Sequence, residues 1–329
     1  MNFHRRELLK IASATGGAAF LPATAFSQTT GYPQGPVRVI VPFTAGSTTD
    51  VIGRIVGERL DKYLGQPFVI ENRPGAGGTL GAAQVASAAP DGQTLLIHSA
   101  GHVANAALYP ALKYDTLKDF TPVTMLASMP NVFVVAPSKG FTSLKELVGR
   151  VSAEPGKYMY GSSGNGSASH IAGEKFRIAA AIHALHVPYR GTPEALNDVM
   201  GGRVDWFLLP LAVAAPLVKT GRLVALSIGA AARSAVLPDV PTTAECGLHD
   251  ADHTFWVGMF APARTPATVL ARLHAETVRA LDSDEARPRL EKLGAQPAPM
   301  PQQQFATLVR DETAATAALI KQAGIRLES

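Results

Sequence analysis

From residue 37 onward, short β-branched runs alternate with segments of helical period. Val37–Val41 reads Val-Arg-Val-Ile-Val, which suits a buried strand. Pro42 has no N–H to give a ladder, so the strand ends there. Thr44, Ala45, Gly46, Ser47, Thr48 and Thr49 form a small, mostly hydroxylated turn. Asp50 then precedes apolar positions at Val51, Ile52, Ile55, Val56 and Leu60, the spacing of a helix with an acceptor near its N-terminus. The pattern repeats with a strand over 68–71, a glycine-rich turn over 75–78 and a helix over 80–89. A third strand over 94–98 runs into Ser99, Ala100, Gly101 and His102. Residues 123–127 and 131–136 read as two separate strands.

A second series begins with a helix over 144–151. A strand over 157–160 then enters a Gly/Ser loop, 161–169, and a helix follows to about 181. This is a second strand, small-residue turn and helix, like the first. Another strand end follows at 186–191, and Thr192 reads as the cap of a helix with Pro193 at its first position. Residues 204–208 and 223–228 complete a small sheet, and 255–261 is an apolar strand returning the chain to the first series. Helices over 265–281, 285–293 and 301–323 close the pattern, the last with Phe305, Leu308, Val309 and Leu319 on one face.

Alternating strands and helices predict an α/β protein with crossover connections. The expected organisation has two lobes, each a mixed sheet flanked by helices: 32–131 with 252–329, and 132–251, joined through 131–136 and 255–261. Ligands on such sheets bind outside the carboxyl ends of the strands, where 44–49 and 99–102 fall, and a cleft between lobes is the expected pocket.

Composition adds an address. The 329 residues are 47% hydrophobic and 17% charged, in the range of globular proteins. Arg5-Arg6 and Lys10 precede a short apolar run over 11–21, then Ala23-Thr24-Ala25, which reads as an export signal cleaved near Ala25 or Ser27. The Arg pair fits the twin-arginine route, with a Sec signal as the alternative. Removing residues 1–27 takes three basic residues and one acidic residue from totals of 30 and 26, leaving a net charge of +2. No Lys/Arg block with interleaved aromatics is present, so nucleic acid is not an expected partner. The only cysteine, Cys246, is too far from the apolar run for a lipid anchor and leaves no internal disulfide.

The candidate chemistry is that of anion capture. A small-residue turn before a helix points free N–H groups and hydroxyls above the sheet, where the helix dipole favours negative charge. The Gly-x-Gly-x-x-x-Gly run at 75–81 lacks an acidic ribose partner after the next strand, so it reads as a turn and not a nucleotide site. His249 and His253 fall in a loop and are not expected to bind metal, and His183 and His186 read as structural. Gly164-Asn165-Gly166-Ser167 lacks the nucleophile elbow of a serine hydrolase, which leaves an exported hydrolase as the alternative from another class. His170 either orients the Gly/Ser loop or packs behind it.

These residues resemble a family. Tyr32-Pro33, Val37–Phe43, Ala45-Gly46 and Asp50 match the first block of the tripartite tricarboxylate transporter substrate-binding proteins, also called the Bug family. Further blocks follow in order, among them Glu71-Asn72-Arg73-Pro74-Gly75-Ala76-Gly77-Gly78, Pro90-Asp91-Gly92, Gly164-x-Gly166-Ser167-x-x-His170, Pro188-Tyr189-Arg190-Gly191, Gly202-x-Val204-Asp205 and Trp256-x-Gly258. The resemblance implies a type II periplasmic binding protein architecture, no cofactor and no catalysis. It implies a monomer that captures an organic carboxylate in the periplasm and presents it to membrane permease subunits. A sensor subunit for a membrane kinase is the alternative within binding.

The implied site comprises Phe43, Thr44, Ala45, Gly46, Ser47, Thr48 and Asp50 from the first turn, and Ser99, Gly101 and His102 from the third strand end. Ser163, Gly164, Gly166, Ser167 and His170 come from the second loop, and Tyr189, Arg190, Gly191 and Asp205 from later blocks, with Arg190 as the expected positive charge. The sequence departs from the family at two places. Ser47 stands where a second glycine is usual, bringing a hydroxyl that can donate a bond or narrow the pocket. Phe207-Leu208-Leu209-Pro210 is apolar where many members are polar, which favours a carboxylate with an apolar or aromatic body over an amino acid.

Overall fold

A computed structural model describes residues 31–325, so the export segment read over 1–27 lies outside the described residues. In chain order the elements are β1 (Val37–Val41), α1 (Thr48–Leu64), β2 (Phe68–Asn72), α2 (Thr79–Ala86), β3 (Thr94–Ser99), α3 (Asn105–Leu108), β4 (Phe120–Val135), α4 (Leu144–Ala153), β5 (Met159–Ser162) and α5 (Ala168–Ala179). There follow β6 (Leu185–Pro188), α6 (Thr192–Met200), β7 (Trp206–Pro210), α7 (Leu211–Lys219), β8 (Val224–Ile228), β9 (Thr254–Pro262), α8 (Ala267–Leu281), α9 (Arg287–Lys292), β10 (Gln296–Pro297) and α10 (Gln302–Ala323).

The strands form one sheet in the order β2-β1-β3-β9-β4-β7-β5-β6, with β8 and β10 also on β4. β1 pairs in parallel with both β2 and β3, and Val37, Val39, Ile40 and Val41 are fully buried, as a parallel strand covered on both faces should be. β9 then runs antiparallel to both β3 and β4.

β4 is the largest departure from the sequence pattern. The two strands expected at 123–127 and 131–136 are one continuous strand of 16 residues. Its first part, Phe120 to Pro130, pairs with β9, and its last part, Asn131 to Val135, pairs with β7 and β8. Pro130 signals a break only if one ladder runs through it. Here the β9 ladder ends at Pro130 and the β7 ladder starts at Asn131, so the missing N–H falls where the strand changes partners.

The core follows this division. One cluster, with Val39, Val56, Leu95, Phe260, Leu273 and Phe305, packs α1, α8 and α10 against the β1–β3–β9 section. Two further clusters cover opposite faces of the β7–β5 section. Phe207 joins one and its neighbour Trp206 the other, as alternation along a strand requires.

One cap also differs. Gly191, with extended backbone, occupies the N-cap of α6, and Thr192 is the first helical residue. The Thr192 hydroxyl is instead 2.9 Å from the Ser163 hydroxyl.

Candidate functional site

The two strand-to-helix turns share one local construction. In the first, Gly46 has a left-handed φ of 80°, Ser47 is the extended N-cap of α1, and the Ser47 hydroxyl accepts from the Asp50 N–H at 3.3 Å. The Asp50 carboxylate accepts from the Gly46 N–H at 2.9 Å. In the second, Gly166 has φ of 77°, Ser167 is the extended N-cap of α5, and its hydroxyl accepts from the His170 N–H at 3.3 Å. His170 Nδ1 accepts from the Gly166 N–H at 3.1 Å. Both turns are therefore Gly-Ser-x-x-acceptor capping boxes in which the last side chain takes the N–H of the residue before the cap.

Asp50 and His170 play the same part with different chemistry. Burial alone would raise the Asp50 carboxyl, but hydrogen bonds from Arg54, Gly46 and Asn72 outweigh it and hold it below the ordinary range. Burial holds the His170 ring down at about 4, so it is neutral and its Nδ1 lone pair is free to accept. Of the two sequence readings of His170, the geometry gives the first: it fixes the loop.

The capped helix ends meet at one tight cavity of about 20 Å³. Ser47, Thr48 and Thr49 line it from α1, and Ser167, Ala168 and Ser169 from α5. Phe43, Ser99, Ser163, Thr192, Phe207, Pro210 and Phe255 complete the wall, with no charged side chain among them. The first N–H groups of a helix have no intrahelical acceptor. Those of Thr48, Thr49, Ala168 and Ser169 have no protein partner among the described residues. A hydroxyl chain runs along one wall, from Thr192 through Ser163 and Ser169 to Ser167. The residues that carry these four N–H groups, a row of hydroxyls and the N-termini of α1 and α5 line one cavity, and Phe43, Phe207, Pro210 and Phe255 make the remainder apolar.

The other sequence-predicted residues distribute around this cavity. Tyr189, Arg190 and Gly164 line a neighbouring groove of about 350 Å³ with Phe43, Ser163 and Gly77, and Arg190 there is exposed. Ala45 and Gly46 are exposed on the turn. Thr44 lies against Gly191, where a Cβ would come 2.1 Å from the threonine hydroxyl. Gly101 lies against the α5 turn, 2.8 Å from its Cβ position to both the Ala168 N and the Gly166 carbonyl oxygen.

Asp205 and His102 are not among the lining residues. Asp205 pairs with Lys139 at 2.6 Å and accepts from the Met159 N–H at 2.7 Å, which ties β7 to β5. His102 is fully buried among His98, Tyr114, Phe120 and Phe260.

The sequence reading missed Thr49, Ala168, Ser169, Thr192 and Phe255. For Thr49 a signal existed: placing the cap at Ser47 rather than near Asp50 makes Thr48 and Thr49 the first two helical residues. Phe255 arrives from β9, and no local pattern announces it. The Ser/His proximity of a hydrolase does occur, between Ser162 Oγ and His186 Nε2 at 2.6 Å. However, Ser162 is fully buried and bonded to both the N–H and the carbonyl of Gly164.

The sequence profile described as "Tripartite tricarboxylate transporter family receptor" matches residues 52–325. Protein BugT of Bordetella pertussis is 32% identical over 299 residues, covering 90% of this chain and 92% of that one. Among solved structures, MatC from Rhodopseudomonas palustris with bound malate is 37% identical and superimposes with a TM-score of 0.83, covering 88% of this chain and all of that one. R. palustris Rpa4515 with adipate is 34% identical with a TM-score of 0.86, covering 90% of this chain and 99% of that one. No helix among the described residues is long and apolar enough to cross a membrane. The two-section α/β sheet, the paired capped turns and these matches together place the chain in the tripartite tricarboxylate transporter receptor family of periplasmic solute-binding proteins.

Proposed function

We propose that the exported protein captures an organic carboxylate with an apolar or aromatic body in the cavity between Ser47 and Ser167. It then presents the liganded form to the membrane permease subunits of a tripartite transporter. The observation that carries this reading is the convergence of two capped helix N-termini on one uncharged wall. Hydrogen bonds to a charged acceptor contribute about 1.5–3 kcal/mol each. Four of them sum to about 6–12 kcal/mol, a range that contains the roughly 8 kcal/mol of a micromolar complex. Malate in MatC and adipate in Rpa4515 support the ligand class.

Residues 32–131 with 252–329 form one closing body and 132–251 the other, bending where β4 changes partners. Thr44, Gly101 and Gly191 make the seam, and Arg190, exposed in the neighbouring groove, draws the anion in. The chain from residue 28 onward, titrated calorimetrically with malate, adipate, benzoate and a set of amino acids, tests the reading. Carboxylates should bind with micromolar affinity and without added metal; binding of amino acids alone would overturn the proposal.

A further inference from the structure

One peptide unit in the second turn is held from both sections of the sheet. The carbonyl of Asn165 and the N–H of Gly166 belong to the same planar group, and in a trans peptide they point in opposite directions. The Tyr109 hydroxyl, at the C-cap of α3, donates to that carbonyl at 2.8 Å. The Gly166 N–H donates to His170 Nδ1 at 3.1 Å. His170 is braced from behind by stacking on His186, with ring centroids 3.9 Å apart, so the inner anchor lies within the second section. The outer anchor, Tyr109, comes from the stretch between β3 and β4 in the first section. Tyr109 is the one hydrogen-bond partner of the Asn165 carbonyl among the described residues. Gly77 leaves room for this bond, since a Cβ there would lie 3.1 Å from the Tyr109 hydroxyl oxygen and nearer still to the carbonyl.

We propose that Tyr109 is a positioning residue of the solute site: its hydroxyl sets the Asn165–Gly166 peptide and, through it, the Ser167 cap and the free N–H groups of Ala168 and Ser169. The inference rests on the carboxylate reading above. Gly166 directly precedes the cap, so turning its peptide swings Ser167 and the start of α5. Gly166 has a φ of 77°, and a glycine leaves such a conformation at little steric cost, so the loop needs an outside hold. Tyr109 is not among the residues lining the anion cavity and acts on it only through this peptide. Burial pushes its hydroxyl up to about 12, which keeps it a donor at neutral pH. In the closing movement proposed above, Tyr109 and Asn165 belong to different bodies. The bond then forms on closure and orders the N–H groups as the solute is enclosed.

The test is Tyr109→Phe, which removes one oxygen and keeps the ring, in the chain from residue 28 onward. Malate, adipate, benzoate and butyrate are titrated calorimetrically. The variant should bind each acid that the unaltered protein binds about three- to tenfold more weakly. The factor should be common to the acids, because the hydroxyl acts on the turn and not on the solute body. The melting temperature without ligand should not change. Amide exchange followed by NMR should show the Gly166 N–H protected when the tightest-binding of these acids is added to the unaltered protein, and less protected in the variant, which a merely structural role would not produce. Unchanged affinity in the variant, with the acids still bound by the unaltered protein, would overturn the positioning role and keep the carboxylate reading. A loss confined to one of several bound acids would put the hydroxyl on the solute, and an equal fall in melting temperature with and without ligand would make it a contact of the fold; either overturns the inference. Absence of binding by every acid to the unaltered protein would overturn both.

Discussion

Gly77 faces Asn165 so closely that a Cβ on Gly77 would lie 1.9 Å from the Asn165 carbonyl oxygen. The Tyr109 hydroxyl donates to that same carbonyl at 2.8 Å. The glycine-rich turn after β2 and the Gly/Ser loop after β5 thus meet closely at Gly77; a Cβ on Gly101 would likewise fall 2.8 Å from the backbone of the α5 turn, and one on Gly191 would fall 2.1 Å from the Thr44 hydroxyl.

A wedge at this seam should hold the protein away from the liganded form. Gly101→Ala places a methyl against Ala168 N and the Gly166 carbonyl. Overpacking of this kind costs about 1–3 kcal/mol, and under the closure proposed above the cost falls on the state in which the seam is shut. Carboxylate affinity should drop by about tenfold or more, while the melting temperature without ligand stays near that of the unaltered protein. Calorimetric titration alongside thermal unfolding checks both; an equal loss of stability with and without ligand would refute it.

The two serine caps should respond alike. Ser47→Ala and Ser167→Ala each remove the acceptor of one helix N–H, and each should cost about 1 kcal/mol in urea unfolding. Ser47→Gly should cost only a few tenths. A larger effect of Ser47→Gly on ligand affinity than on stability would identify the hydroxyl as a donor into the cavity.

Acid should destabilise the fold early. Burial, the largest cause in each case, lowers His98, His170 and His253 from 6.5 to about 4, and it holds His102 well below 6.5 as well. The folded pKa is below the unfolded one, so the unfolded chain binds more protons between the two. The stability these rings confer is complete above pH 6.5 and is lost as pH falls toward 4. Each contributes a slope of about 1.4 kcal/mol per pH unit in that window. His102→Leu replaces a ring with two unpartnered nitrogens among aromatic neighbours and should shallow the slope by one such increment. Melting temperatures from pH 7 to 4 measure it.

Asp205 should matter for stability and not for ligand. Asp205→Ala leaves Lys139 and the Met159 N–H without their acceptor. Breaking a largely buried pair of this kind costs about 3 kcal/mol. Urea unfolding should show that loss, with carboxylate affinity unchanged; a parallel loss of affinity would return Asp205 to the site.

The sequence made the paired turns legible because their causes are local. A β-branched run, a small-residue turn and a capped helix are written in consecutive residues, and the Ser47 and Ser167 boxes need nothing from elsewhere. The continuous β4 was not legible, since whether Pro130 breaks a strand depends on β9 and β7, which lie far along the chain. The same holds for Asp205: its neighbours resemble a binding block, but its partner Lys139 is 66 residues upstream. His102 follows a strand end as a ligand residue would, and only packing against Phe120 and Phe260 shows it turned inward.

One strand, Phe120–Val135, belongs to both sections of the sheet. Under the closure proposed above it acts as a leaf spring, and its rest curvature fixes what fraction of molecules is ready to hold solute. Apparent affinity is the intrinsic affinity scaled by that fraction. Substitutions around Pro130 could therefore move the receptor's working concentration range up or down while every atom that meets the solute stays the same. Sensitivity and selectivity would then be inherited on separate stretches of the chain.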